Sequence, residues 1–170
     1  LIWWIAILGC CLQIGDCLTA EAAKTAKMGA DAVLLDEAAQ IAQWSGLKVS
    51  RKPVHFGKCA GKWANPVKVN SVSSSQIPHD WTAYKQFSFW AYCEKAGDAA
   101  IELVLMSQND ATPDDDYYAY TIKLNWKGWQ KIVVPIKSII PTRNPAGWYK
   151  IDQIIFSANG WGHTPQPDMV

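Results

Sequence analysis

The sequence contains neither G-x-x-x-x-G-K-[ST] nor G-x-G-x-x-G. The backbone cradles that bind nucleotide phosphates are therefore missing. There is no G-x-S-x-G, so the sharp strand-to-helix turn that presents a nucleophilic serine is excluded. H-E-x-x-H and paired C-x-x-C spacings are absent too, which removes the common zinc sites. Laminarinase-type jelly-roll hydrolases space their carboxylates E-x-D-x-x-E along one strand. No such run occurs, and Glu102 stands alone in its apolar stretch. An excess of charge of one sign is also missing, with 16 Lys+Arg against 15 Asp+Glu. A nucleic-acid binder would show a clustered basic surplus. Charged residues are only 18% of the chain and hydrophobic ones 49%, so a disordered chain is excluded.

Aromatic residues, by contrast, are plentiful. The 170 residues include 10 Trp, 6 Tyr and 4 Phe. A single domain of this length buries enough surface to fold without metal or disulfide. The tryptophans exceed what such a core needs, so the question is what they do.

Residues 1–14 are almost wholly apolar and uncharged. A membrane span needs about 20 such residues, so this run is too short. It fits the apolar centre of a secretory signal peptide, with Ala20-Glu21-Ala22 as an A-x-A cleavage site. A buried N-terminal helix or strand is the competing reading, and Ile7-Leu8-Gly9-Cys10 is a loose lipid-attachment box. The expected organisation is a truncated signal peptide over 1–22, a spacer over 23–32 and a β-module over 33–170. Cleavage removes Cys10, Cys11 and Cys17. Cys59 and Cys93 remain, an even count that permits a disulfide in an exported protein. Two separate buried thiols are the alternative. The expected location is secreted, periplasmic or at the cell surface.

From Val33 on, short runs of Val, Ile, Phe, Tyr and Trp alternate with turn residues about every ten positions, as in an all-β sandwich or barrel. The clearest strands are 86–94, 100–107, 117–126, 130–135 and 151–158. Weaker ones are 33–35, 48–50, 57–63 and 67–72. Residues 36–44 have helical texture. About nine strands suit a two-sheet antiparallel jelly roll. Period-2 alternation assigns faces. Tyr118, Tyr120, Ile122, Leu124 and Trp126 share a core face, as do Ile101, Leu103 and Leu105. In 86–94, Phe87, Phe89, Ala91 and Cys93 alternate with Ser88, Trp90 and Tyr92. Both faces there are apolar, so the strand is covered on both sides or one face binds something. The chain ends just as Met169-Val170 starts an apolar step, which suggests a missing closing strand.

Trp161 lies between two glycines in Ser157-Ala-Asn-Gly-Trp-Gly-His163, where little side-chain bulk covers its indole. Arg143, Asn144 and Trp148 are close in sequence, and Asn159 and His163 share the segment. Indole faces stack on the C–H faces of sugar rings, and Asn, Arg and His bond hydroxyls. These residues are the candidate ligand site: Trp161, His163, Trp148, Arg143 and Asn159. The competing reading has the aromatics capping the sandwich ends. Trp63, Trp90 and Trp126 fit core positions better, and Trp126 and Trp129 read as pinning a Lys127-Gly128 hairpin. Asp114-Asp115-Asp116 is either a solvated turn or part of a calcium site.

Several motifs in order complete the picture: Leu35-Asp36-Glu37 ahead of Trp44, Gly57-Lys58-Cys59-Ala60-Gly61-Lys62-Trp63, Asp80-Trp81-Thr82-Ala83-Tyr84 before Phe87-Ser88-Phe89-Trp90, Trp126-Lys127-Gly128-Trp129-Gln130-Lys131, and Ile151-Asp152-Gln153-Ile154. The run from Leu34 to Val170 resembles the N-terminal jelly-roll, galactose-binding-like carbohydrate-binding domains of bacterial polysaccharide lyases and glycoside hydrolases, such as heparinase II/III-like and chondroitin-lyase-like proteins. The resemblance implies a structural calcium held partly by Asp36 or Glu37 and no other cofactor. It implies a polysaccharide partner and a downstream catalytic domain on the same chain. The function so implied is a non-catalytic glycan-binding module. The alternatives are a docking sandwich that packs on that catalytic domain without binding sugar, and a small lyase or hydrolase in its own right.

Overall fold

A computed structural model describes residues 41–165. The leader, the spacer, strand 33–35, Asp36, Glu37 and Met169-Val170 lie outside the described residues, as does most of the helix read over 36–44. Nine strands follow in order: β1 (Leu47–Ser50), β2 (Ala60–Trp63), β3 (Ser71–Ser74), β4 (Gln86–Cys93), β5 (Ala100–Met106), β6 (Tyr117–Lys123), β7 (Gly128–Pro135), β8 (Ile140–Thr142) and β9 (Gln153–Ser157). A 3-10 turn, Ile136–Ser138, joins β7 to β8. The fold is an all-β antiparallel sandwich, as the alternation indicates.

One layer is a five-stranded sheet of order β3-β9-β5-β6-β8, faced by the β4-β7 pair, with β1-β2 a separate hairpin. The core lies between the layers. Ile101, Leu103 and Leu105 of β5, Tyr118 and Ile122 of β6, and Ile154 and Phe156 of β9 meet Phe87, Phe89, Ile132 and Val134 of the opposing pair. These are the faces that period-2 alternation assigns to the interior. β5 is central and buried through Leu105 on both faces.

Two expectations are corrected. β6 and β7 do not form a hairpin pinned by Trp126 and Trp129. β6 pairs with β5 and β8, and β7 pairs with β4, so Lys127-Gly128 carries the chain from one layer to the other. Trp126 follows the core-facing parity of β6 into the interior, while Trp129 lands on the outer face of β7, opposite Tyr92. The second correction concerns the cysteines. Cys59 and Cys93 are both free thiols, and burial pushes the Cys93 thiol up to about 12.

The question of the tryptophans is partly answered here. Trp44, Trp63, Trp81 and Trp126 are core residues. The indole N–H of Trp63 donates to the Val69 carbonyl, and that of Trp81 to the Pro78 carbonyl, each at 2.6 Å. Buried indoles normally find such acceptors. Trp90, Trp129 and Trp148 are half-buried, and Trp161 is 45% exposed.

Candidate functional site

The segment after β9 holds one of the three non-glycine residues with positive φ among those described, the others being Asn65 and Arg143. Gly160, Trp161 and Gly162 have φ of 89°, 50° and 81°. Gly160 and His163 exchange backbone hydrogen bonds, with N–H···O distances of 3.1 and 2.7 Å. The segment is thus a two-residue turn with positive φ at both central positions, a geometry that normally takes Asn-Gly or Gly-Gly. A tryptophan in the left-handed region is an outlier. Such strain costs of order 1–3 kcal/mol and gathers at functional sites. Here it places a large indole at the tip of a turn, where the ring meets Tyr117 edge-on at a centroid distance of 5.8 Å.

The base of this turn is fixed to the outer face of the five-stranded sheet. Glu102 of β5 points away from the core, yet is only 3% exposed. Its carboxylate accepts from the Thr121 hydroxyl of β6 at 2.8 Å. The His163 Nε2 lies 3.5 Å from the same oxygen, at ion-pair distance but outside hydrogen-bond geometry. Burial raises the Glu102 carboxyl above the ordinary range, with the Thr121 hydroxyl and then His163 opposing it. Glu102, alone in its strand by sequence, is therefore the buried anchor of the turn that carries Trp161.

Arg143 reaches the same corner from another loop. Thr142, just before it, is the register partner of Tyr117. The Arg143 guanidinium donates to the Asp115 carbonyl at 3.2 Å and lies 3.8 Å from the Asp114 carboxylate. Trp161 and Tyr117 thus meet on the outer side of the sheet, and Arg143 follows the strand residue paired with Tyr117. Asn159 is exposed in the same turn, and its backbone is tied to the Ser157 hydroxyl. Trp148 does not join them. It stacks on Tyr118 at 4.0 Å and 18°, and Tyr118 faces the core where Tyr117 faces out. The sequence missed Tyr117, Thr121 and Glu102. Outward parity marked all three, but their partners come from distant segments.

Asp116 shows what the acidic run does. It is fully buried and accepts from the Thr112 hydroxyl, the Gln108 amide and the backbone N–H groups of Asn109 and Asn144. Donors occupy both carboxylate oxygens. Asp116 is a hub that ties the 107–116 loop to the 143–147 loop. No group of three or more His, Cys, Asp or Glu suited to a metal gathers among the described residues. The Thr112 hydroxyl, then the Asn144 and Asn109 amides and the Arg143 charge, hold the Asp116 carboxyl below its ordinary value of 3.8, against burial. A depressed acid contributes stability that is complete above the ordinary carboxylate range and is lost as pH falls through the folded value. Urea midpoints measured from pH 6 to pH 2 are expected to fall steeply below about pH 4. Asp116→Asn is expected to be less stable at pH 6 and to lose that part of the slope. Parallel profiles for the two proteins would show that Asp116 is no such hub.

Among the described residues, no helix is long and apolar enough to cross a membrane. The chain matches no family model, and no curated protein or solved structure is significantly similar to it.

Proposed function

We propose that this chain is a non-catalytic glycan-binding module of an exported polysaccharide-degrading enzyme, with Trp161 as its central contact. The observation that carries the reading is the strained turn. A half-exposed indole is held in the left-handed region, braced by Tyr117 and anchored through His163 and Glu102. A merely structural turn has no need to place a tryptophan where glycine or asparagine fits without strain. A flat, half-exposed indole, braced by Tyr117 and close in sequence to the exposed Asn159, offers a stacking face with polar groups near it. That is the chemistry of a pyranose ring: apolar C–H faces and a rim of hydroxyls. Tethered to a catalytic domain, such a module raises the effective substrate concentration even when its own affinity is weak.

The test is affinity electrophoresis and calorimetry against a panel of neutral polysaccharides. Trp161→Ala is expected to weaken binding by about tenfold or more, the loss usual when a central aromatic contact is truncated. Unchanged retention of every polymer the native chain binds would rule out this site. If the native chain binds no glycan, the docking reading takes its place.

A further inference from the structure

A second group of aromatic side chains lies on the other layer, on the outer face of β4-β7. Trp90, Tyr92 and Trp129 share that face, because Tyr92 is the register partner of Trp129 and Trp90 that of Lys131. The Tyr92 and Trp129 rings meet edge-on at 5.3 Å. The loop before β2 adds His55 and Phe56. The imidazole sits 3.9 Å from the Trp90 ring, 4.0 Å from Phe56 and 5.3 Å from Trp129. Phe56 remains 40% exposed, as does Val133 at 43%. Small satellite clusters under loops are ordinary, and Ala60 with Val54 packs beneath this one. Two features set it apart. The aromatic rings remain partly open to solvent, and the Nδ1 of His55 is buried with no hydrogen-bond partner among the described residues. A buried polar atom without a partner calls for an explanation.

Charge supplies the rest. Residues 47–63 hold Lys48, Arg51, Lys52, Lys58 and Lys62 and no acid. No acid occurs between Tyr117 and Lys150 either, a stretch that includes all of β7 with Lys131 and the preceding Lys127. The acid nearest this face in sequence is Glu94, one residue past the end of β4. The acids Asp110, Asp114, Asp115 and Asp116 lie instead in one loop, where Asp110 and Asp114 face Lys150 and Arg143 and Asp116 is buried. By register Lys131 lies on this outer face opposite Trp90, and a cation beside a partly open aromatic platform complements a ring that is flat, hydroxylated and anionic. Arg and Lys recognise carboxylates and sulfates through charge-assisted hydrogen bonds.

We infer that the β4-β7 outer face, with Phe56, Trp90, Tyr92 and Trp129 as platform and Lys131 at its rim, is a second binding site, for an anionic sugar unit bearing a carboxylate or a sulfate. The inference rests on the reading of the chain as a glycan-binding module, but it uses residues on the opposite layer from Trp161. On this inference the β4-β7 face takes acidic rings and the Trp161 turn takes neutral ones.

The test is binding of the full chain to polygalacturonate and chondroitin sulfate, with a neutral β-glucan and inorganic polyphosphate as comparisons. Trp129→Ala and Lys131→Glu are expected to weaken binding of both acidic polymers about tenfold each, and Trp161→Ala to leave it unchanged. The acidic polymers should bind more tightly than polyphosphate at equal charge, because stacking adds to charge. Lys131→Glu alters an exposed side chain and leaves the platform intact, so its loss of binding reads out the site even if Trp129→Ala is poorly folded. Three results would overturn the inference: no binding of either acidic polymer, equal binding of polyphosphate, or binding of acidic polymers that is unaffected by Lys131→Glu. Loss of neutral binding in Trp161→Ala alongside any of these would leave the first site standing and remove only the second. Binding of acidic polymers alone, untouched by Trp161→Ala, would do the reverse.

Discussion

Phe156→Ala is expected to destabilise the domain by about 3–5 kcal/mol, the cost of deleting a fully buried phenylalanine and leaving its cavity. Phe156 is at 0% exposure in β9. Its ring packs 5.1 Å from Phe89 of the opposing layer and 6.1 Å from Trp44, nearly parallel to the latter at 25°. In the sheet it is the register partner of Val72 on one side and Leu103 on the other. A single side chain therefore joins three strands of one sheet, the opposing pair and the segment before β1. Rigid aromatic neighbours collapse poorly into a void, which puts the expected cost at the upper part of that range. Total stability of such domains is about 5–15 kcal/mol, so this one substitution removes a large share of it and lowers Tm by about 10–20 °C. Tyr149→Ala is the matched control. That side chain is 61% exposed, and its loss is expected to stay within about 0.5 kcal/mol. Similar Tm values for the two variants in thermal unfolding would show that the interior is not organised around Phe156.

How much of this could be read from residues alone depended on whether the signal was local. Alternation is local, and it assigned the faces of β4, β5 and β6 correctly, down to Trp126 in the core. It also exposed the double-sided apolar character of β4, whose outer members Trp90 and Tyr92 prove half-buried. The exposure of Trp161 was legible for the same reason, since flanking glycines leave its indole uncovered, whereas the positive φ at Trp161 itself was not. Pairing, however, is not local. Trp126-Lys127-Gly128-Trp129 looks like a hairpin, because a tight turn and a layer crossing use the same breaker residues. Only the partners of β6 and β7 distinguish them. β8 was missed because Ile140-Pro141-Thr142 contains a proline. Proline cannot donate to a ladder, yet it is tolerated at a sheet edge, and β8 is the edge strand beside β6. Trp148 was grouped with Trp161 because the two are close in sequence. One sits over Tyr118 and the other against Tyr117, and consecutive residues of a strand face opposite ways.

Glu102 shows the same limit most sharply, and it carries the second large effect. Its partners Thr121 and His163 come from a neighbouring strand and from a turn beyond β9. Glu102→Ala removes the acceptor of the Thr121 hydrogen bond and the ion-pair partner of His163, and is expected to cost about 0.5–1.5 kcal/mol, the net contribution of one hydrogen bond. It is also expected to speed amide exchange across residues 158–165, because the Trp161 turn loses its anchor. Glu102→Gln separates charge from hydrogen bonding. Glutamine keeps an acceptor for the Thr121 hydroxyl but carries no charge into the buried site. Burial raises the native carboxyl above its unfolded value. In the window between the two values the native state binds more protons than the unfolded one, so wild-type stability falls as pH rises through it. Glutamine has no such slope. Glu102→Gln is therefore expected to match or exceed the wild type at pH 8, while Glu102→Ala falls below both. Urea unfolding of the three proteins at pH 5 and pH 8 reads this directly. If glutamine fails at pH 8 as badly as alanine, the carboxylate charge itself holds His163. The buried contact is then an ion pair whose attraction outweighs the cost of desolvating it, and the strained tryptophan turn is held by electrostatics rather than by packing alone.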